Sequence, residues 1–442
     1  MLREVNILSW NYVMIIGLSI SAVVLMGLIC LVLLWPHRKL NPLFLFVAVS
    51  CFFSVTTLGL IDFSHSSDQK HVILIIMYNL SIVLYIFSGH DFRVDNKVKS
   101  HLSGIKLSSN NNINFTSTVL ILLVCLFVSY IYFKFLVGYN LAFSAFLGDV
   151  EDFTAMRLAS YSGSAYTGAG VVNQFKNTIL PVSYFALIAG VYYKYGKLSS
   201  GMVALAISPF FIWAIMGTGQ RAYLFFSMAG LLIYLNAVGR INYRALFFVF
   251  ALSLVLFGYQ SYQLGRTDGM GVITVALQFF RRLCVDNQIA TVEGFRYASS
   301  LDIQFGEEWM RALLGLVPGI KGSDLAHRVH EYMYGSDRGT APVALWVSIY
   351  HNFGIWFVFP FMFLFLKAVD GVRSFLLKAT DPFHVLIFSF CSFYIGIAPI
   401  SDFVQIINNG VLGLLFALVM YISLKKTVRL LRLKPRMLTE AS

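Results

Sequence analysis

The 442 residues predict an all-α, polytopic integral membrane protein with about eleven transmembrane helices. Three observations carry that expectation. Apolar residues make up 58% of the chain, they recur in blocks long enough to cross a hydrocarbon core, and charged residues gather between the blocks. The formal net charge of +12 is therefore not the mark of a nucleic-acid binder.

In chain order the spans are Asn11 to Trp35, Leu40 to Ile61, Val72 to Ser88, Thr118 to Gly138, Ile179 to Tyr193 and Gly201 to Met216. They continue with Ala222 to Val238, Ala245 to Tyr262, Val343 to Leu366, His384 to Ile400 and Gly410 to Leu424. With the N-terminus outside and the C-terminus inside, one face collects 19 of the 33 basic residues and 5 of the 21 acids. The positive-inside rule makes that face cytoplasmic. Arg3 and Glu4 cancel before the first span, no signal-peptidase pattern follows it, and it is expected to stay as an anchor. The whole chain reads as one membrane domain (1–442).

Cys30, Cys51, Cys125 and Cys391 fall within spans, so Cys284 has no partner for an intrachain disulfide outside. The sequence has no CxxC, HExxH or Walker pattern, and its cytoplasmic loops are too short for a nucleotide-binding domain. Chemistry is thereby directed to the outer face, with no cofactor expected.

Two outer loops are long: 139–178 and 263–342. The second should form short amphipathic helices over the bundle, because apolar residues recur at helical spacing through Val272, Val275, Ala276, Phe279 and Phe280, and again through Trp309, Leu313, Leu314 and Leu316. It holds seven arginines and a single lysine, Lys321, beside nine acids. A guanidinium grips phosphate oxygens through paired donors where an ammonium offers a point charge, so a phosphate-bearing ligand is the natural inference. The plainer reading is ion pairing with the acids of the same loop. Arg221 stands apart, at the end of a small-residue turn, Met216-Gly-Thr-Gly-Gln-Arg221, next to the start of a helix whose free backbone donors favour an anion. A snorkelling anchor is its plainer alternative.

Leu316-Val-Pro-Gly-Ile-Lys321, Arg338-Gly-Thr-Ala-Pro342 and Tyr350-His-Asn-Phe-Gly354 resemble the signature region of bacterial oligosaccharide repeat-unit polymerases, the Wzy-type O-antigen polymerases. The turn Gly219 to Arg221 and the segment Arg157 to Pro181 are similar to that family's patterns, and the resemblance covers about 149–400. An arginine followed by ten residues and a glycine also describes the family's long loops. Arg157 with Gly168, Arg311 with Gly322 and Arg328 with Gly339 fit it.

The resemblance implies a membrane glycosyltransferase of the GT-C type in the bacterial inner membrane, with its active site facing the periplasm. It would transfer a growing glycan from undecaprenyl pyrophosphate onto an incoming lipid-linked repeat unit, among membrane lipids and with a chain-length-regulating co-polymerase as a further partner. Fixed guanidinium groups can stabilise a pyrophosphate leaving group without a metal. Arg157, Arg221, Arg281, Arg282, Lys321 and Arg338 are the candidates for that role. Tyr161, Tyr166, Tyr334 and Tyr350, with Tyr139 and Tyr332, are candidates to stack on sugars, unless they form an interfacial aromatic belt. A base for the acceptor hydroxyl is sought among His351, His327, His330, Glu293 and Asp337, with His351 at a span mouth as first choice. A metal-dependent route would need Asp149, Glu151, Asp152 and Asp402. The alternatives are an O-antigen ligase using the same donor, and a transporter of lipid-linked oligosaccharide. A transporter is disfavoured because no internal repeat appears and charge lies outside the spans.

Overall fold

A computed structural model describes residues 2–35, 41–89, 115–147, 150, 152–160, 170–220, 222–239, 247, 251, 255, 258, 271–315, 317, 325–336, 339–376 and 381–439. Every regular element among them is a helix. Six helical stretches are long and apolar enough to cross a membrane: Tyr12–Leu34, Asp68–Ser88, Phe115–Val137, Lys197–Met216, Ile355–Ser374 and Phe403–Val428. Shorter apolar helices run over Pro42–Leu58, Ala222–Ala237 and Pro382–Gly396. Leu28, Phe127, Leu205 and Leu364 are exposed on the long helices, as suits helices that face lipid.

Local sequence sets the helix ends. Asn41 and Asp381 each accept from a backbone N–H two residues on, at 3.1 and 2.8 Å, and each is followed by proline at the first helical position. The helix Lys197–Met216 packs against Leu180–Tyr195, and Ala222–Ala237 packs against Pro382–Gly396. Trp346 is fully buried between Phe53 and Tyr78, with ring centroids 5.7 and 5.1 Å away, and donates through Nε1 to His71 Nε2 at 3.3 Å.

One expected span is differently built. Val343 to Leu366 is not one continuous helix. The helix Leu345–Phe353 stops at Gly354, and a second stretch, Ile355–Ser374, is the one long enough to cross a membrane. The first piece buries Leu345, Trp346, Val347, Ser348, Ile349, His351 and Asn352, so it is a core segment within the protein. The expected span Ala245 to Tyr262 lies outside the described residues except at four positions. In the segment 263–342 the expected amphipathic stretches are helices, Val272–Arg281 and Glu307–Leu314, and further helices run over Asn287–Ser299 and Leu325–Tyr334.

Candidate functional site

Four described arginines of the segment 263–342 lie within 4 Å of an acid. Arg281 is exposed and lies 3.2 Å from Asp286, and Arg311 pairs with Glu307 one turn earlier on its own helix. Arg282 is exposed beside Arg281. Arg296 is nearly buried among three carboxylates: Asp62 at 2.6 Å, Glu293 at 2.7 Å and Asp68, fully buried, at 2.9 Å. Its guanidinium is held charged above its usual range, first by the hydrogen bond to Asp68, against the opposing effect of burial. The Arg296 fork thus ties Asn287–Ser299 to the start of the helix Asp68–Gly89. Asp62 is pushed down to about 2, chiefly by hydrogen bonds from the backbone and side chain of Ser64 and then by Arg296.

His351 occupies a second cluster. Its side chain is fully buried, with Nε2 3.5 Å from Glu308 Oε2, and the same oxygen lies 3.2 Å from an Arg328 nitrogen. Three short helices are therefore linked through one buried carboxylate. One turn before His351, Ser348 donates to Asp402 Oδ1 at 2.7 Å and accepts from Trp309 Nε1 at 2.9 Å. A cavity of about 230 Å³ lies against this helix end, lined by Leu301, Ile303, Tyr350, His351, Phe353 and Trp356 among others. Tyr350 packs on Phe295, with centroids 4.9 Å apart. Tyr334 is exposed beside the ring of His330, whose Nδ1 is 2.8 Å from the Ser336 carbonyl, and Tyr332 packs on Tyr297.

Arg157 sits at a third place, on the helix Phe153–Ala159. That helix starts at Asp152, whose Oδ1 accepts from Ala155 N at 2.9 Å, and it leans on the turn at 217–219. A β-carbon at Gly219, whose φ is +69°, would lie 3.3 Å from Arg157 Cγ and 2.8 Å from a Leu141 methyl. One at Gly217 would lie 2.2 Å from the Phe133 ring, so only glycines let this turn pass beneath the helix and lead to Arg221. The Arg157 Nε is buried with no hydrogen-bond acceptor among the described residues.

A second buried cationic side chain is one that sequence reasoning passed over. Lys176 is buried within a π-helical turn, Phe175–Ile179, and its Nζ has no hydrogen-bond partner among the described residues. Its nearest described company is aromatic: ring centroids of Tyr132, Phe133 and Tyr223 at 5.0, 5.7 and 5.9 Å. Tyr132 joins it to Arg157, since its hydroxyl donates to the Ser160 carbonyl, and the Ser160 hydroxyl lies 2.7 Å from the Arg157 carbonyl. Tyr139 donates to the Met156 carbonyl at 2.5 Å in the same region.

A readable signal did exist. From Phe153 to Thr267 the sequence has no acid at all, yet it contains Arg157, Lys176 and Arg221. Cations that no sequence neighbour can neutralise stand out only when acids are mapped beside bases. Glu308 was equally hidden, one of nine acids in its loop, until folding buried it beside His351.

The segment from Asp402 to Val411 lies between the His351 and Lys176 regions. Asp402 takes the Ser348 hydrogen bond, Asn408 Nδ2 donates to the Ala312 carbonyl at 3.3 Å, and the Asn408 and Asn409 carbonyls accept from Gln174 and Thr178. Arg221, Tyr161, Tyr166, Lys321, Arg338, Asp149, Glu151 and Asp337 lie outside the described residues. Among the described residues no three of His, Cys, Asp and Glu come together as metal ligands.

No family model, no curated protein and no solved structure matches the chain.

Proposed function

We propose that this protein is a membrane-embedded glycosyltransferase that polymerises lipid-linked oligosaccharide repeat units at the periplasmic face. The donor would be a glycan on undecaprenyl pyrophosphate, and the acceptor an incoming lipid-linked repeat unit. The observation that supports this reading is Arg157, with a buried Nε and no described acceptor, against a glycine turn that leads to Arg221 in an acid-free stretch of chain. Such fixed positive charge suits a leaving group on which negative charge develops.

In the transfer, the bond between the anomeric carbon of the donor and the pyrophosphate oxygen breaks, and the acceptor hydroxyl oxygen bonds to that carbon. The electron pair leaves with the pyrophosphate, and the hydroxyl proton passes to a base. Arg157 and Arg221 act on the leaving group. His351, whose Nε2 lies 3.5 Å from a Glu308 carboxylate oxygen, is the candidate base.

A deletion strain separates the classes. Loss of the polymerase leaves lipopolysaccharide capped by a single repeat unit on a silver-stained gel. Loss of every repeat unit would point to a ligase or a flippase and end the polymerase reading.

A further inference from the structure

We infer that Lys176 is a second phosphate-binding cation, a residue that meets the carrier's phosphate oxyanion from inside the helical bundle. This rests on the proposed use of a lipid pyrophosphate. Buried charges are as a rule paired with an opposite charge or hydrogen-bonded. Lys176 has neither among the described residues: its amine is buried, lacks a hydrogen-bond partner, and has aromatic faces at 5.0 to 5.9 Å.

Those faces attract a cation without neutralising it. Burial pushes the Lys176 amine down to about 7, so these faces hold an amine that an arriving anion would keep charged. A carboxylate there would make an inert internal pair like that of Arg296 with Asp68.

The surroundings point the same way. Lys176 lies on a π-helical turn, an irregularity found often at functional sites. It is tied through Tyr132 and Ser160 to Arg157, a half-buried residue whose buried Nε also has no described acceptor. Two cationic side chains linked through one tyrosine suit a ligand with two adjacent phosphates. A single phosphate would need only one of them.

The test uses the purified full-length protein in detergent, with undecaprenyl pyrophosphate, undecaprenol and phosphatidylglycerol as separate ligands and binding read by native mass spectrometry. Lys176→Met keeps the bulk of the side chain and removes the charge. It should lose about tenfold or more in affinity for the pyrophosphate, the scale of one charged hydrogen bond, and nothing for undecaprenol. Lys176→Arg should regain part of the loss. The ligand-free Lys176→Met protein should melt above the wild type, because an unpaired buried charge has been removed. That melting comparison confirms folding in the same experiment.

If Lys176→Met binds the pyrophosphate as the wild type does while Arg157→Ala does not, the inference about Lys176 is wrong and the proposed function stands. Equal wild-type affinity for undecaprenol and its pyrophosphate would remove both. A loss on phosphatidylglycerol as large as on the pyrophosphate would make Lys176 a general phospholipid contact and overturn the inference.

Discussion

The segment 263–342 and the stretch 153–262 are both rich in cations, but only the first carries its own counter-charges. In the first, Arg281, Arg296, Arg311 and Arg328 each lie within 4 Å of an acid. In the acid-free stretch, Arg157 Nε and Lys176 Nζ are buried with no described partner. A count of arginines points to the first region; a count of what the arginines are left to do points to the second. Positive charge that is already satisfied holds helices together, while unsatisfied positive charge is available to a ligand.

Breaking the paired region should harm folding. Arg296→Met leaves Asp68 buried without its cation and should cost about 3–5 kcal/mol, read as a large fall in melting temperature in detergent. Adding Asp68→Asn should recover part of the loss. If Arg296→Met melts with the wild type, this arginine is not the structural clamp described here.

Breaking the turn under Arg157 should cost less stability and more activity. The new methyl of Gly217→Ala would sit 2.2 Å from the Phe133 ring, and overpacking of this kind costs about 1–3 kcal/mol. The lipopolysaccharide ladder should shorten at matched expression. An unchanged ladder would detach the turn from the site.

A pH-dependent effect sharpens the paired side. Asp62 is held at about 2 in the fold against 3.8 for the free group. Its contribution is therefore complete above about 4 and disappears as pH falls through about 2. Ser64→Ala removes the second cause of the depression, the hydroxyl hydrogen bond, and keeps the backbone one. It should melt below the wild type at pH 6, with the gap closing toward pH 3; a gap independent of pH would contradict the assignment.

The smallest effect belongs to the exposed pair. Arg281→Ala should change stability by less than about 1 kcal/mol and leave the ladder intact, since Arg281 and Asp286 are open to solvent. A collapsed ladder would return the site to the outer segment.

Much of the helical architecture could be read from sequence, because hydrophobic blocks of membrane length follow from the thickness of lipid. The break at Gly354 could not, since an internal helix buried by protein and one buried by lipid have the same apolar composition. Arg157 was legible through its loop and spacing. Lys176 was not, because its meaning lies in the absence of acids around it and in the rings of Tyr132 and Tyr223, which are distant in sequence. His351 was legible as a helix-end histidine, but its burial against Glu308, 43 positions earlier, depends on the packing of three short helices.

The most direct test compares one arginine from each region. Purified Arg157→Ala and Arg311→Ala proteins are given lipid-linked repeat units, and the elongation rate is measured at equal protein and equal melting temperature. Arg157→Ala should fall by about 10²–10³, the usual loss when a donor to a developing anion is removed, while Arg311→Ala stays within about twofold of the wild type. An Arg157→Ala protein as fast as the wild type, or an Arg311→Ala protein as slow as Arg157→Ala, would contradict the account.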